Sequence, residues 1–135
     1  MSLTVYRKAH FNAAHRLYRK EWSDEKNREV FGKCSNPKYH GHNYELEVGV
    51  SGEIDPETGF LIDLSVLKKI IEEEVEEPFD HKNLNEEVAV FKDLNPTVEN
   101  IAIVIWNKLR NRLDKKYTIT IKLYETPRNF VVYTG

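Results

Sequence analysis

The sequence predicts an α+β domain in which an antiparallel sheet is covered on one face by two helices. Four segments alternate polar and apolar residues, which is typical of strands with one buried face. Two longer segments between them carry apolar residues at helical spacing. The resulting order is β-β-α-α-β-β. No linker, repeat or low-complexity tract interrupts the 135 residues, so we expect a single domain over residues 1–135.

Composition narrows the class of protein. Hydrophobic residues make up 40% and charged residues 31%, which is ordinary for a water-soluble globular protein. The formal net charge of -2 gives no overall field that would attract nucleic acid or a membrane surface. No apolar run approaches the roughly 18 residues that a membrane span needs. The single cysteine, Cys34, favours a reducing compartment, so we expect a cytoplasmic protein.

The first third of the chain combines a strand with a charged excursion. Residues 4–11 alternate, with Val5, Ala9 and Phe11 on one face, and predict the first strand. Residues 11–17 leave that strand with small residues. Residues 18–33 are dense in charge and predict a long loop with room for a helical turn.

The middle of the chain predicts a strand, a turn and a helix. Residues 43–51 form the second strand, and a turn containing proline and glycine follows it. A helix then begins with Asp63 or Ser65 as its N-cap and ends at Pro78. The apolar stripe of this helix consists of Leu67, Ile70, Ile71 and Val75.

The last third predicts a second helix and two strands. Residues 80–85 form a polar connection, and Pro96 lies in the first turn of the second helix. Residues 117–124 alternate strongly and form a strand, and residues 130–133 form the last strand after a turn. The apolar stripe of the second helix consists of Val98, Ala102, Ile105, Leu109 and Leu113.

Two histidines separated by one glycine, His40 and His42, begin the second strand. Residues two apart in a strand face the same side, so the two imidazoles would lie together, and neutral imidazole suits zinc. Such a pair is also common on protein surfaces, so the interpretation as a metal site depends on a third ligand. His15 is the candidate, because its segment would pair antiparallel with the second strand. His10 is the rival, but it lies within the first strand.

Seven short segments together carry a resemblance to a known family. They are residues 11–17, 31–34 with 40–44, 59–64, 80–84, 97–100 and 124–126. In this order and spacing they resemble the 6-pyruvoyltetrahydropterin synthases and their bacterial relatives, the 6-carboxytetrahydropterin synthases. The resemblance implies the tunnelling fold, in which three subunits join their sheets into a barrel and two trimers stack. We therefore expect this chain to form a homo-oligomer, specifically a hexamer.

The resemblance also implies a metal and a reaction. The family's zinc ligands fall on His15, His40 and His42, and three histidines leave one coordination position open for catalysis. The substrate it implies is 7,8-dihydroneopterin triphosphate. The zinc ion would act as a Lewis acid on the hydroxyls of the substrate side chain. The implied enzyme is a lyase that eliminates triphosphate.

Three further residues match the family's catalytic groups. Cys34 matches the base, and a cationic neighbourhood would favour its thiolate. Asp80 and His81 match its partners, which come from a different subunit. Considered by themselves, these two residues indicate a loop cap, and both can serve one site only if the backbone turns between them.

Another three residues match the family's substrate pocket. Glu125 matches the carboxylate that accepts two N–H bonds from the pterin ring, although its place at a strand end would by itself indicate an exposed residue. Thr97 and Glu99 match residues that line the same pocket. The basic residues that could contact the triphosphate are Arg16, Lys20, Arg28, Lys33 and Lys38.

Alternatives to this function remain open at this point. Five residues separate Cys34 from His40, as in the pyruvoyl synthases, whereas carboxy synthases of the queuosine route often have three. The pyruvoyl product is therefore favoured. A non-catalytic module is the competing class, in which Cys34 and the three histidines close a structural zinc site. A zinc hydrolase that uses metal-bound water would need no cysteine base.

Overall fold

The computed structural model describes residues 3–135 and contains a five-stranded sheet. In the sheet the strand order is β3-β1-β2-β4-β5; β3 runs parallel to β1, and the other neighbours are antiparallel. The strands are β1 (Leu3–His15), β2 (His40–Gly52), β3 (Lys82–Asn83), β4 (Thr118–Tyr124) and β5 (Phe130–Tyr133).

Helices lie between these strands. None of those formed by residues 3–135 combines the length and the apolar character that a membrane span requires. The α-helices are α1 (Asp24–Phe31), α2 (Leu64–Ile71), α3 (Glu77–Phe79), α4 (Leu84–Glu87) and α5 (Val98–Arg112). A π-helical segment, Glu72–Glu76, joins α2 to α3, and short 3-10 helices occupy Gly32–Ser35 and Ala89–Lys92.

The core confirms the predicted α+β class. One face of the sheet packs on α2 and α5, and the side chains of Leu46 and Ile121 in its centre are fully buried. Both predicted apolar stripes are buried in this core, although Val98 is only partly so. The buried stripe residues are Leu67, Ile70, Ile71, Val75, Ala102, Ile105, Leu109 and, directly after α5, Leu113.

The first strand is longer than predicted, and this places a histidine. The prediction that residues 11–17 leave the strand is wrong, because β1 continues to His15. Phe11, Ala13 and His15 extend the period-two alternation and are all buried. The second strand also begins earlier than predicted, at His40. The two strands therefore pair over their whole length, and the last pair is His15 with His40.

The charged segment at residues 18–33 contains an eight-residue helix, α1, which is longer than the single helical turn that the loop prediction allowed. The Ser23 hydroxyl accepts a hydrogen bond from the Lys26 N–H at 3.1 Å and caps α1. The side chain of Asn27, which is buried, bonds both main-chain groups of Arg19 and the Trp22 carbonyl. These contacts replace a hydrophobic stripe, which is why periodicity does not reveal the helix.

The ends of the two main helices also differ in part from prediction. Asp63 caps α2, as predicted, and accepts from the Ser65 N–H at 2.9 Å. Pro78 does not end the segment, because it lies in the first turn of α3, where proline is tolerated. Pro96 precedes α5 instead of lying in its first turn, and Thr97 is the N-cap.

The connection at residues 80–85 is more ordered than predicted. It contains the short strand β3, whose Lys82 and Asn83 pair with Ala13 and Ala14 of β1. It continues directly into α4, which buries Leu84 completely. This connection therefore covers the end of β1 that carries His15.

We predict different costs for the same truncation at two positions of α5. Ile105 is fully buried, whereas Ile103 is 37% exposed. Ile105→Ala should lower the free energy of unfolding by about 3 kcal/mol through lost burial and a residual cavity. Ile103→Ala is the control and should cost less than about 1 kcal/mol. Urea unfolding followed by circular dichroism measures both, and equal losses would contradict this assignment of the core.

Candidate metal centre and active site

Strand register brings three histidines together at one end of the sheet. His15 lies directly opposite His40, and His42 lies opposite Ala13, one pair further along the same face. One ring nitrogen from each of the three imidazoles lies within 4.8 Å of the others. His10 occupies the opposite face of β1 and is exposed. The three histidines could therefore hold a metal ion, and His10 lies apart from them.

The orientation of His15 is fixed by the main chain beside α5. Its Nδ1–H donates to the Pro96 carbonyl at 2.8 Å. That bond selects the tautomer whose Nε2 carries the lone pair. Metal-binding histidines commonly use the second nitrogen in this way, which fixes the ring before a metal arrives.

The chemistry of the donor set fits a cation. Among residues 3–135, His15 Nε2, both ring nitrogens of His40 and Nε2 of His42 are buried without a hydrogen-bond partner. A buried polar atom without a partner costs about 1–3 kcal/mol. A cation bound by these nitrogens would satisfy one atom on each ring. The four unpaired nitrogens are thus the observation that favours a metal centre.

Burial favours the neutral form of two of these imidazoles, those of His15 and His40. Desolvation lowers the pKa of His15 to about 4, with smaller contributions from His40 and His42, while the Pro96 hydrogen bond opposes the shift. Desolvation also lowers the pKa of His40, and His42 adds to that effect. Near neutral pH the lone pairs are therefore free to coordinate.

Cys34 lies beside the site but not in the cluster. In the described part of the chain, the group of mutually close ligand atoms consists of the three histidines alone. The Leu17 N–H donates to the Cys34 carbonyl at 2.8 Å and anchors the 3-10 helix to the end of β1. Burial raises the pKa of the half-buried thiol, and Glu125 raises it further. In the single chain, burial and the Glu125 carboxylate therefore both favour the protonated thiol over the thiolate.

Glu125 turns into the site instead of pointing to solvent. Glu125 directly follows β4 and, by period two, lies on the same face as the buried residues Ile121 and Leu123. Its Oε2 lies 3.9 Å from His15 Nε2, and its side chain is 22% exposed. The default expectation of an exposed residue is therefore wrong, since period-two alternation continues past the last strand residue.

Tyr44 is a site neighbour that the sequence reasoning missed. Its side chain is fully buried, and its hydroxyl lies 3.3 Å from His15 Nδ1. Burial raises its pKa, followed by the nearby Glu125 and Cys34. The signal was available, because Tyr44 follows His42 by two residues in a strand and must share its face.

The two residues at the start of α5 that were expected to line the substrate pocket, Thr97 and Glu99, are placed differently. Thr97 is half-buried and follows Pro96, the residue that holds His15; its hydroxyl caps α5 by accepting from the Asn100 N–H at 3.2 Å. Glu99 is exposed in the first turn of the same helix. The structure therefore brings Thr97 next to the residue that holds His15, whereas Glu99 faces solvent in the single chain.

Asp80 and His81 form a pair at the edge of β1. His81 has φ 60°, so the backbone turns as a shared site requires, and its Nδ1 lies 2.9 Å from Asp80 Oδ2. The Asn12 N–H donates to Asp80 Oδ1 at 2.8 Å, and the His81 N–H donates to the Asn12 carbonyl at 2.6 Å. The Asn12 hydrogen bond, and secondarily His81, lowers the pKa of Asp80. The two residues thus bind the main chain of Asn12, as a loop cap would, and also form an exposed pair outside the histidine cluster.

The fold and the site define a class: an α+β protein with a mainly antiparallel sheet and, at one end of it, three histidines that could hold a metal ion. The family model described as 6-pyruvoyl tetrahydropterin synthase matches residues 4–135. The chain therefore belongs to the 6-pyruvoyl tetrahydropterin synthase family. This finding confirms the family resemblance of the sequence.

Similar proteins agree with this assignment. Proteins named 6-pyruvoyl tetrahydrobiopterin synthase from Pongo abelii and Homo sapiens are 51% and 50% identical over 131 residues, covering 97% of this chain and 90% of each relative. The solved structure of the Caenorhabditis elegans 6-pyruvoyl tetrahydropterin synthase superposes with a TM-score of 0.93 at 39% identity. That match covers 100% of this chain and 96% of the nematode chain, which confirms the fold.

We predict that acid destabilises the metal-free protein. The pKa of His15 is about 4 in the folded chain and about 6.5 when unfolded, so the unfolded state binds more protons between these values. The stability that neutral His15 contributes is complete above pH 6.5 and is lost as pH falls towards 4. At pH 5 the loss should be about 2 kcal/mol relative to pH 7.5.

Urea unfolding of the chelator-treated protein at several pH values measures this dependence. His15→Leu is the matched variant, because it keeps an apolar side chain in the buried position and removes the titrating group. It should lose most of the slope between pH 7.5 and 5. An unchanged slope in His15→Leu would show that another group carries it.

Proposed function

We propose that this protein is a zinc-dependent carbon–oxygen lyase that converts 7,8-dihydroneopterin triphosphate to 6-pyruvoyltetrahydropterin with loss of triphosphate. The observation that carries the proposal is the set of buried, unpaired histidine nitrogens beside Cys34 and Glu125. Three neutral imidazoles suit zinc and leave one position for substrate. Relatives with about half of their residues identical bear the name of this enzyme.

His15, His40 and His42 would hold the ion, which when bound would supply Lewis-acid activation of the substrate side-chain hydroxyls. His15 contributes a ring that the Pro96 carbonyl has already oriented. Pterin chemistry at this site requires proton transfers along the side chain. The chain's own residues must therefore supply a group that accepts and returns protons.

Cys34 is the proposed base. Its Sγ would take the proton from the substrate side-chain carbon and return it during the rearrangement. In the chain alone, burial and Glu125 raise its pKa, so the thiol rests protonated. A positive charge held by the neighbouring histidines acts in the opposite direction and favours the thiolate. The site would thus activate its base only when it is loaded.

Glu125 is the proposed anchor for the pterin ring. A carboxylate accepts two parallel N–H bonds, which matches the 2-amino group and ring nitrogen of a pterin. Its position 3.9 Å from His15 Nε2 would put the ring's side chain next to the ion. Thr97 and Glu99 are proposed to line the same pocket from α5, Glu99 only in the assembled protein.

Three of the five basic candidates surround one cavity. Arg16, Arg28 and Lys33 line it together with Ser35, directly beside Cys34 in the chain. The other two candidates, Lys20 and Lys38, do not line this cavity. We therefore propose that the triphosphate binds in this cavity, whose lining contains three basic residues and one acidic residue, Asp24.

We propose that the chain assembles as a homo-hexamer and that this assembly completes the site. The side chain of His81 is 83% exposed, and the dyad with Asp80 lies at the edge of β1, away from the histidines of its own chain. At this edge β3 pairs only with Ala13 and Ala14. The strand β5 forms the other end of the sheet. Joining such edges between subunits would pair their free main-chain groups and bring a partner's dyad to Cys34.

The alternatives receive less support. A structural zinc site needs Cys34 as its fourth ligand, and the cysteine is outside the close cluster formed by the described residues. A zinc hydrolase has no use for Cys34 as a base or for a carboxylate turned into the site at Glu125. The carboxy synthase differs only in its product, so it is an outcome of the test below. Cytoplasmic location stays a prediction from the sequence.

Product analysis tests the proposed function. Zinc-loaded protein is incubated with 7,8-dihydroneopterin triphosphate, and mass spectrometry identifies the pterin product and the released triphosphate. We expect 6-pyruvoyltetrahydropterin, and no conversion after chelation until zinc is restored. A 6-carboxytetrahydropterin product, or full conversion by metal-free protein, would contradict the proposal.

The variant Cys34→Ala separates the roles proposed for the cysteine. As a base it is not a ligand, so the variant should retain zinc and its melting temperature while turnover falls by about 10²–10⁴-fold. A closed structural site predicts instead that zinc affinity and melting temperature fall together. A mere core cysteine predicts full activity. Metal content, melting temperature and turnover are measured on the same preparation, and full activity would refute the mechanism.

Glu125→Gln should keep the fold and the zinc but weaken substrate binding. An amide replaces one acceptor oxygen by a donor, which should cost about 2–4 kcal/mol of binding to the pterin N–H groups. Glu57→Gln, in the exposed turn after β2, is the control and should leave KM unchanged. Steady-state kinetics measure both variants, and equal KM values would show that the pterin is anchored elsewhere.

A further inference from the structure

Helix α4 contacts the residues that flank two of the three histidines. His15 and His40 form the last pair between β1 and β2, so Arg16 and Tyr39 are the first residues beyond the ladder. Each is held by one of two consecutive residues of α4. Asn85 bonds Arg16, and Glu86 bonds Tyr39.

Asn85 holds the main chain of Arg16 as a neighbouring strand would. Its Oδ1 accepts from the Arg16 N–H at 2.8 Å, and its Nδ2–H donates to the Arg16 carbonyl at 2.9 Å. The parallel pairing of β3 with β1 ends at Asn83 and Ala14. The Asn85 amide therefore continues this pairing past His15 with a side chain.

Glu86 holds the residue before His40 from the same helix. The Tyr39 hydroxyl donates to Glu86 Oε1 at 2.8 Å. Tyr39 has φ 68°, a left-handed conformation that bulky residues rarely adopt. Such a residue requires support from its surroundings. The contact with Glu86 supplies support at the point where the chain enters β2.

The helix itself is fixed in place. Leu84 is fully buried, and the Asn83 side chain caps the helix by accepting from the Glu86 N–H at 3.3 Å. The Asn83 N–H in turn donates to Glu87 Oε2 at 2.7 Å. The two contacting residues thus belong to a braced element.

The contacts of Asn85 with Arg16 and of Glu86 with Tyr39 together form a clamp on the two flanking residues. One end of this clamp also contacts the segment that carries the proposed base. The Arg16 Nε–H donates to the Ser35 carbonyl at 2.7 Å, and the adjacent Leu17 N–H donates to the Cys34 carbonyl at 2.8 Å. The short segment after His15 therefore joins a metal-centre histidine, α4 and the cysteine. A shift of Arg16 would move all three relative to one another.

We propose that Asn85 and Glu86 are positioning residues that set the placement of His15 against His40, and so the affinity and geometry of the metal centre. The inference rests on the proposed function in one respect, namely that the three histidines bind a divalent ion. Neither residue contacts the ring nitrogens; both act through the main chain or side chain of a flanking residue.

The test measures metal affinity and ligand geometry separately from stability. Zn²⁺ affinity is determined by competition with a chromogenic chelator, and Co²⁺ loaded into the same site reports geometry through its visible spectrum. Asn85→Ala and Glu86→Ala should each weaken Zn²⁺ binding about 10-fold or more and alter the Co²⁺ spectrum. Asn111→Ala is the control, since Asn111 is exposed on α5.

Conservative variants distinguish positioning from folding. Glu86→Gln keeps an acceptor for the Tyr39 hydroxyl and should restore near-original affinity. Tyr39→Phe removes only that hydroxyl and should reproduce the loss in Glu86→Ala, so the contact is tested even if Asn85→Ala does not fold. The melting temperature of each metal-free variant is recorded alongside.

The outcomes separate this inference from the proposed function. Original affinity and Co²⁺ spectrum in Glu86→Ala and Tyr39→Phe, whether or not melting temperatures fall, would overturn the clamp and leave the proposed function intact. An unaltered protein that fails to bind Zn²⁺ would overturn both. Weaker binding with an altered spectrum, restored in Glu86→Gln, supports the clamp.

Discussion

The burial of His15 opposite His40 is the constraint on which the site depends. The antiparallel register turns these two rings and His42 to one point, at the end of the face that forms the core. Desolvation there lowers the pKa of His15 and of His40, and buried ring nitrogens on all three histidines are unpaired. One contact, from Nδ1 to the Pro96 carbonyl, decides which nitrogen of His15 is available. The arrangement of the three histidines therefore follows from strand pairing, and one hydrogen bond orients His15.

Much of the fold is encoded locally, and the errors occur where local signals are weak. Strong alternation predicts β4, and helical apolar stripes predict α2 and α5, because each records a single buried face. The end of β1 is missed because alanines at residues 13 and 14 have little strand preference of their own. The pairing with β2 overrides that preference. Helix α1 is missed because a buried asparagine, instead of an apolar stripe, fixes it.

The sequence likewise predicts some features of the site and not others. Period two predicts that His40 and His42 lie together, antiparallel pairing nominates His15, and the family resemblance supplies the catalytic and substrate-pocket candidates. The charge environment of Cys34 is not predictable from neighbouring residues, because Glu125 approaches it from a distant strand end. The contacts of Asn85 and Pro96 are hydrogen bonds between distant segments, which no periodicity records. Sequence patterns identify the candidate ligands, whereas tertiary contacts determine how they are held.

The most direct test of the central claim is the coordination of zinc in the loaded protein. An open three-histidine centre predicts that X-ray absorption at the zinc edge will show nitrogen or oxygen ligands at about 2.0–2.1 Å only. Outer-shell scattering should be characteristic of imidazole, with about three rings per zinc. A sulfur ligand at about 2.3 Å would place Cys34 on the metal. That result would contradict the proposed roles of the histidines as a complete ligand set and of the cysteine as a free base.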